Sequence, residues 1–173
     1  MAVPEGVRPL SDRAREGLFA SLGAEVEGAH VLDLFAGTGA IGIEAISRGS
    51  AHSTFVERSG PAIAAVRENL AKTHLAELAT VVPADVLTFV RSPKPTHGTF
   101  DIVFLDPPYE LEPPHLDEAL KHLADAWLRA PWTVVLTRGR KNPKPVIPLH
   151  WHAARQLRYG DSLVTLFREV GWA

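Results

Sequence analysis

The fold of this chain is constrained most by one short segment, in which an apolar strand leads through a glycine turn into a helix. The segment reads Val31-Leu32-Asp33-Leu34-Phe35-Ala36-Gly37-Thr38-Gly39-Ala40-Ile41-Gly42. Glycine lets the backbone turn sharply and approach a bound ligand closely. The spacing matches the GxGxxG pattern, which places a ligand between the end of a strand and the start of the next helix. A parallel sheet covered by helices is therefore the first expectation.

Short apolar strands and amphipathic helices alternate along the rest of the chain. Periodicity predicts helices over 11–22, 40–48, 61–73, 86–90 and 114–128. It predicts strands over 30–35, 53–57, 79–83, 100–105 and 133–137, followed by a hairpin of 152–157 and 162–168. We predict one α/β domain over 1–173 with a Rossmann-like, mostly parallel seven-stranded sheet that ends in an antiparallel hairpin. Residues 1–28 would form an N-terminal helix and extension on the substrate side, and 29–173 the core.

Three acidic residues lie at the ends of the first three predicted strands. Asp33 precedes the glycine turn, Glu57 ends the second strand 24 residues later, and Asp85 follows the third strand. A carboxylate at Asp33 would repel the pyrophosphate of a dinucleotide, whereas it suits the cationic ammonium and sulfonium of S-adenosyl-L-methionine. Glu57 has the usual position for binding both ribose hydroxyls. Asp85 could accept a hydrogen bond from an adenine amine or cap the next helix.

S-adenosyl-L-methionine is thus the expected cofactor, bound in the crevice at the carboxyl ends of the strands. A hairpin after the fifth strand is also typical of the class I S-adenosylmethionine-dependent methyltransferase variant of this fold. The residues that we expect to bind the cofactor are Asp33, Phe35, Gly37, Thr38, Gly39, Glu57, Arg58, Asp85 and Val86.

A tetrapeptide directly after the fourth strand, Asp106-Pro107-Pro108-Tyr109, is the candidate catalytic motif. Alone it could be a proline-rich turn, but here it follows the strand expected beside the glycine turn. An exocyclic base amine is a poor nucleophile because its lone pair is delocalised into the ring. The Asp106 carboxylate and the Pro107 carbonyl can accept its N–H bonds, and these hydrogen bonds strengthen as positive charge develops. The prolines stiffen the backbone, and Tyr109 offers an aromatic face to a flipped base.

Basic residues are concentrated in the last third of the chain. Residues 129–160 contain seven Lys or Arg and no Asp or Glu, although the whole chain has 18 basic and 20 acidic residues. Such asymmetry indicates a surface for a polyanion. On composition alone a solvated basic face is the more common explanation. If the surface does bind a polyanion, we expect Arg8, Arg13, Arg138, Arg140 and Lys141 to contact it.

Composition excludes several other classes of protein. The chain has no cysteine, which rules out a disulfide framework, thiolate zinc sites and iron–sulfur clusters. No apolar run is long enough to span a membrane, and the first residues lack the apolar core of a signal peptide. We expect a cytoplasmic monomer that does not bind membranes and holds no metal ion.

The sequence resembles the bacterial 16S rRNA guanine-N2 methyltransferases of the RsmD type. The resemblance rests on residues 8–19, 33–44, 106–109 and 158–161, and so spans nearly the whole chain. Of these, the run Arg8-Pro9-Leu10-Ser11-Asp12-Arg13-Ala14-Arg15-Glu16-Gly17-Leu18-Phe19 is the more specific part, because many amine methyltransferases share the tetrapeptide. The resemblance implies a product with one N2-methylguanosine in the decoding region. It also implies that the substrate is 16S rRNA within the small ribosomal subunit or one of its assembly intermediates.

The chain departs from that family in two places. Leu10 stands where the family has threonine. Most members also carry a short basic β-hairpin before the equivalent of Pro4-Glu5-Gly6, the point at which this sequence starts. We expect a weaker hold on RNA from the second departure, and no effect on the cofactor.

Other functions stay open on the residues alone. The tetrapeptide would also suit N6-adenine methylation of DNA, although such enzymes usually add a recognition domain, or methylation of another RNA amine. Methylation of a protein glutamine is disfavoured because that family typically has asparagine in place of Asp106. Asp33 disfavours a nicotinamide-dependent oxidoreductase, and the intact tetrapeptide disfavours a non-catalytic ribosome-assembly factor.

Overall fold

The computed structural model describes residues 10–93 and 99–171, which fold into one sheet with helices on both faces. The strands are β1 His30–Leu34, β2 His52–Glu57, β3 Ala79–Pro83, β4 Phe100–Leu105, β5 Leu128–Gly139, β6 Trp151–Tyr159 and β7 Ser162–Glu169. The helices are α1 Asp12–Leu22, α2 Ala40–Ser47, α3 Gly60–Thr73, α4 Val86–Arg91 and α5 Pro113–Ala126. Two short 3₁₀ helices, Gly23–Val26 and Ala76–Leu78, lead into β1 and β3.

The seven strands lie in the order β3-β2-β1-β4-β5-β7-β6. The first five in that order are parallel, whereas β7 runs antiparallel to both β5 and β6. This arrangement confirms the fold predicted from the sequence, including the closing hairpin. The order reverses between β1 and β4, and open α/β sheets bind their ligands at such a switch point.

Helix starts follow from local side-chain chemistry. The Ser11 hydroxyl accepts a hydrogen bond from the Ala14 N–H at 3.1 Å and thereby caps α1. The Asp85 carboxylate caps α4 by accepting from the Thr88 N–H at 3.3 Å. Each such cap satisfies a backbone donor that the helix itself leaves unpaired, which typically contributes about 1 kcal/mol.

Hydrophobic side chains cover both faces of the sheet. On one face, α4 and α5 pack against the strands around the fully buried Leu120 and Trp127. On the other, α1 contributes Leu18 and Phe19, and α2 and α3 enclose Phe55. Fully burying an aliphatic or aromatic side chain of this size contributes roughly 1.5–3 kcal/mol. The N-terminal helix α1 is therefore an integral part of the core.

The main error in the predicted elements concerns the segment between α5 and β5. The helix was expected to continue to residue 128 and the strand to begin at 133, but α5 ends at Ala126 and β5 begins at Leu128. The apolar pattern continues past the helix because the Trp127 ring is buried and its Nε1–H donates to the Val90 carbonyl at 3.0 Å. At the far end of β5, pairing with β7 extends the strand to Gly139, beyond its expected end at residue 137. No helix within 10–93 and 99–171 has the length and apolar character needed to cross a membrane.

Candidate active site

A large cavity opens at the carboxyl ends of the parallel strands. Its volume is 1060 Å³. The segments that follow β1, β2, β3 and β4 form its floor and sides, while the start of α1 and the turn between β6 and β7 form the opposite wall. Residues from far apart in the sequence thus face one space, as expected for a binding site at a topological switch point.

The glycine turn forms one side of this cavity. Gly37 and Gly39 adopt positive φ angles of 58° and 80°, and Gly39 caps the N-terminus of α2. A Cβ on Gly39 would also approach the Val66 and Phe55 side chains at 3.2 and 3.3 Å. Phe35 has a φ of 59° although it is not glycine, a conformation that costs about 1–3 kcal/mol. Such backbone strain is retained where a turn must present its backbone to a ligand.

Glu57 holds the glycine turn in place. Its Oε1 accepts a hydrogen bond from the Gly37 N–H at 3.0 Å. Its Oε2 accepts from the N–H groups of Arg58 and Ser59, both at 2.8 Å. One carboxylate therefore joins the end of β2 to the turn after β1, and one lone pair, on Oε1, remains for a ligand in the cavity that Glu57 lines.

Asp33 lies below the turn and is only 1% exposed. Its Oδ2 accepts a hydrogen bond from the Gly42 N–H in the first turn of α2 at 3.1 Å. Desolvation raises the pKa of Asp33 well above its ordinary value, and the negative charges of Asp106 and Glu57 raise it further. A cation bound in the cavity would stabilise the ionised form of this carboxyl.

The rim beside the third strand contains the other residues expected to bind the cofactor. Asp85 caps α4, and its Oδ1 lies 3.7 Å from an Arg58 guanidinium nitrogen. Val86 is buried and faces the cavity. Both interpretations of Asp85 made from the sequence are therefore compatible with its position, because a carboxylate that caps a helix can also face the cavity. Of the nine expected residues, all but Gly39 line the cavity: Asp33, Phe35, Gly37, Thr38, Glu57, Arg58, Asp85 and Val86.

The loop after β4 lines the same cavity as the glycine turn. It contains the whole tetrapeptide, from Asp106 to Tyr109. Burial raises the pKa of Asp106 from its ordinary 3.8 to about 7, while the positive charge of Arg138 acts in the opposite direction. The Tyr109 hydroxyl lies 3.2 Å from the Ser162 hydroxyl, which connects the loop to the start of β7.

Two residues at the end of β5 support this loop from behind. Arg138 is only 7% exposed, and its Nη1 donates to the Pro108 carbonyl at 3.2 Å. Asn142 donates from Nδ2 to the Tyr109 carbonyl at 3.1 Å, and its Oδ1 accepts from the Gly139 N–H at 2.9 Å. Arg138, which was expected to contact RNA, is instead buried where β5 pairs with β7, and its guanidinium lies against the tetrapeptide loop. No local sequence pattern points to Asn142, which lies in a proline- and lysine-rich segment.

The wall opposite the strands joins α1 to the hairpin. Gly17 of α1 lies directly against Tyr159 at the end of β6, so that a Cβ on Gly17 would be 1.7 Å from the tyrosine hydroxyl oxygen. Arg13, Arg15 and Arg158 line the mouth of the cavity on this side. Residues 158–161 were expected to matter only through a family resemblance. Their place beside the cavity depends on the packing of α1, which no local pattern reveals.

Other basic residues of the 129–160 segment lie at opposite ends of the sheet, some beside the cavity and some far from it. Arg140 and Lys141 are exposed, and the Arg140 N–H donates to the Asp161 carbonyl in the hairpin turn at 2.7 Å. Arg129, by contrast, forms two hydrogen bonds with Asp101 at 2.9 and 2.6 Å, at the end of the sheet opposite the cavity. The basic segment is therefore not one continuous surface. Arg8 lies outside the described residues.

The two sides of the cavity differ in chemistry. The glycine-turn side offers backbone groups, the apolar surfaces of Phe35 and Val86, and carboxylates at Asp33 and Glu57. These groups suit a ligand with a diol, an aromatic ring and positive charge, and they disfavour a phosphate. The opposite side offers the Asp106 carboxylate and the carbonyls of a proline-rich loop, which can accept the N–H bonds of an amine.

Comparisons with known proteins give a consistent result. The family model described as Conserved hypothetical protein 95 matches residues 1–168. Ribosomal RNA small subunit methyltransferase D of Escherichia coli K12 is 33% identical over 171 residues, which cover 97% of this chain and 83% of that protein. The solved structure of a hypothetical protein from Thermus thermophilus has 31% identity and a TM-score of 0.81, covering 98% of this chain and 92% of that one. SMU.776, solved in complex with S-adenosylhomocysteine, shares the fold at 16% identity with a TM-score of 0.72, over 92% and 50% of the two chains.

Proposed function

Because this chain belongs to the Conserved hypothetical protein 95 family, the RsmD family, we propose that it methylates the exocyclic N2 amine of one guanine in 16S rRNA, with S-adenosyl-L-methionine as the methyl donor. One observation carries the proposal. The Asp106 carboxylate and the glycine turn held by Glu57 line one cavity. A methyl donor and an acceptor amine can thus be held in the same space.

The cofactor would occupy the glycine-turn side. Glu57 would accept a hydrogen bond from a ribose hydroxyl with the lone pair of Oε1 that Gly37, Arg58 and Ser59 do not use. Asp33 would balance the positive charge of the donor, and Phe35 and Val86 would pack against the adenine. When bound, S-adenosyl-L-methionine supplies an electrophilic methyl group on a sulfonium.

The target amine would bind on the other side, in the tetrapeptide loop. The Asp106 carboxylate and the Pro107 carbonyl would each accept one N–H bond of the guanine N2 amine. These acceptors favour a pyramidal nitrogen that gains positive charge, so that they stabilise the transition state more than the ground state. Rigid placement of the amine also lowers the entropy cost of reaching an in-line geometry. Tyr109 would pack against the base.

The protonation state of Asp106 sets the pH range of this reaction. The carboxyl accepts an N–H bond and attracts positive charge only when it is ionised, and burial holds its pKa at about 7. Arg138 opposes that effect and so enlarges the ionised fraction at neutral pH. We expect activity to rise with pH through the neutral range, and the ionised carboxylate can take the proton that the methylated amine releases.

Basic residues around the mouth of the cavity would bind the RNA backbone. Arg13, Arg15 and Arg158 line the mouth, while Arg140 and Lys141 are exposed next to the hairpin turn. Lys and Arg at such positions supply affinity for phosphates without reading the sequence. The choice of one guanine would then come from the shape of the assembled small subunit and from flipping that base into the cavity.

The proposal is tested with small ribosomal subunits that lack this modification. Purified protein and S-adenosyl-L-methionine with a tritiated methyl group should label 16S rRNA, and mass mapping should find a single N2-methylguanosine. The Asp106→Asn variant, which keeps the shape of the side chain but not its charge, serves as the matched control and should leave the RNA unlabelled. Label on an adenine or on a protein, or no label although S-adenosylhomocysteine binds, would refute the proposal.

A further inference from the structure

We propose that Arg138 and Asn142 form a carbonyl clamp, a pair of positioning residues that fixes the Asp106–Tyr109 loop and reserves its Asp106 carboxylate and Pro107 carbonyl for the target amine. The clamp rests on the proposed function for its catalytic meaning. Neither residue touches the expected substrate. Both contact the backbone of the tetrapeptide loop, and neither lines the cavity.

The clamp uses the two carbonyls that follow Pro107. The Pro108 carbonyl accepts from Arg138 Nη1 at 3.2 Å and from the Leu111 N–H at 3.0 Å. The Tyr109 carbonyl accepts from Asn142 Nδ2 at 3.1 Å. Among the described hydrogen bonds, none uses the Pro107 carbonyl, which leaves that oxygen available to an amine donor. Because the Pro108 and Tyr109 carbonyls are fixed by hydrogen bonds, the Pro107 carbonyl is held in one direction before the amine binds.

Close packing at Gly139 supports the same interpretation. A Cβ at this position would lie 2.6 Å from Asn142 Oδ1 and 3.5 Å from a ring carbon of Tyr109. The absence of a side chain therefore lets Asn142 reach the Gly139 N–H and the tetrapeptide at the same time. Gly139 at the end of β5 therefore makes room for the hydrogen bonds by which Asn142 joins Gly139 to the Tyr109 carbonyl.

Arg138 also acts on the loop through its positive charge. Within the described chain its Nε is buried without a hydrogen-bond partner, which costs stability in a guanidinium that is only 7% exposed. The groups whose charges reach this guanidinium are Asp106, Tyr109 and Glu110 on the loop. Asp33 on β1 also faces Asp106. Arg138 is thus the cation that offsets the burial of the Asp106 carboxylate.

Loss of the arginine charge should change the titration of Asp106. In Arg138→Gln the pKa of Asp106 should rise, because desolvation would no longer be opposed. The acid limb of the pH profile of kcat should move to higher pH, and alkaline buffer should restore part of the activity. Arg138→Lys should keep the position of the limb but lower kcat, because a lysine cannot reproduce the geometry of the guanidinium.

Loss of the asparagine bridge should have a different effect. Asn142→Ala should lower kcat about tenfold, the scale expected for one or two hydrogen bonds that position the loop, without moving the pH profile. The KM for S-adenosyl-L-methionine should stay unchanged in both variants. Arg129→Gln is the matched control, since it removes an arginine from the same strand at the end far from the cavity.

A measurement without RNA separates the clamp from the proposed function. The carboxyl ¹³C resonance of Asp106, assigned by its loss in Asp106→Asn, is titrated in the free wild-type protein, Arg138→Gln, Arg138→Lys and Arg129→Gln. Hydrogen–deuterium exchange over residues 106–111 is measured in the same proteins and in Asn142→Ala. A higher titration midpoint in Arg138→Gln only, with faster exchange in Arg138→Gln and Asn142→Ala, supports the clamp even if no RNA is methylated. Unchanged titration and exchange in folded variants would overturn it, whatever RNA the wild type methylates.

Discussion

The two sides of the cavity are built in different ways. On the glycine-turn side, residues 33–40 form one continuous strand, turn and helix start. Glu57 holds this turn from 20 residues away, and the Asn69 side chain donates to the Thr38 carbonyl from 31 residues away. On the target side, the loop after β4 depends on partners in the last third of the chain. Its contacts with Arg138, Asn142 and Ser162 span 30, 33 and 53 residues.

This difference has a consequence for function. A ligand bound by the glycine-turn side meets a surface built by β1, α2, β2 and α3, so that changes in β5, the hairpin and α1 should leave its affinity intact. The target side exists only after β5, the hairpin and α1 have packed around the tetrapeptide. Changes in those elements should therefore alter turnover or RNA use while cofactor binding stays the same.

The largest expected effect comes from Asp106→Ala. Removing the acceptor carboxylate should lower turnover on small subunits by at least about 10²–10³-fold, the scale seen when one preorganised group that stabilises the transition state is lost. The affinity for S-adenosylhomocysteine, measured by isothermal titration calorimetry, should stay within about twofold of wild type because Glu57 and the glycine turn are unchanged. Similar losses of turnover and cofactor affinity would break the separation between the two sides.

The reverse experiment is Glu57→Ala. Three backbone N–H groups and the expected ribose would lose a charged acceptor. We expect cofactor affinity to fall about 10- to 100-fold, because hydrogen bonds to charged groups contribute roughly 1.5–3 kcal/mol each. The kcat at saturating cofactor should change little, and Glu57→Gln should be intermediate. A variant with lower kcat and normal cofactor affinity would contradict this assignment.

The buried carboxyls of Asp33 and Asp106 should make the free energy of unfolding depend on pH. The pKa values of Asp33 and Asp106 are both raised by burial, so the folded protein binds protons more tightly than the unfolded chain. Their contribution to stability is therefore present at low pH and declines from about pH 4 to beyond pH 7. Relative to wild type, Asp106→Asn should gain a few kcal/mol of unfolding free energy at pH 8 and almost none at pH 4, since one pKa unit corresponds to about 1.4 kcal/mol. Urea unfolding at both pH values measures this difference, and a gain independent of pH would contradict the assignment.

The smallest effect is expected from Gly17→Ala. The new methyl group must displace the Tyr159 ring, whose hydroxyl oxygen and Cζ would otherwise lie 1.7 and 2.8 Å away. Alanine should stabilise α1 by up to about 1 kcal/mol, while kcat/KM for the RNA falls a few-fold and cofactor affinity is unchanged. Tyr159→Ala should reproduce the loss in kcat/KM without the gain in helix stability. A change in cofactor affinity would show that the α1 wall also serves the glycine-turn side.

Much of the fold was predictable because hydrophobic periodicity and helix capping depend on residues close together in the sequence. Strands β3 and β4 have the bounds expected from the sequence, and Ser11 caps α1 as expected. The strand-turn-helix pattern also located the cavity, because parallel strands bring their carboxyl ends to one edge of a sheet. The acidic residues at the carboxyl ends of β1 and β2 and the tetrapeptide after β4 lie at that edge.

The errors and omissions all concern long-range packing. Arg138 was expected on the surface, but antiparallel pairing of β5 with β7 buries it behind the tetrapeptide. Arg129 was counted in a basic surface, but its ion pair with Asp101 is formed at the other end of the sheet. The bridge made by Asn142 joins segments that have no common sequence pattern. Such contacts follow from tertiary structure, which a single sequence read locally does not contain.

A crystal structure with S-adenosylhomocysteine and guanosine bound tests the central claim most directly. A ribose hydroxyl of S-adenosylhomocysteine should lie about 3 Å from Glu57 Oε1. The guanine N2 amine should lie about 3 Å from the Asp106 carboxylate and the Pro107 carbonyl, facing the thioether sulfur. A phosphate on the Gly37–Gly39 turn, or a tetrapeptide that contacts neither the amine nor the base, would contradict it.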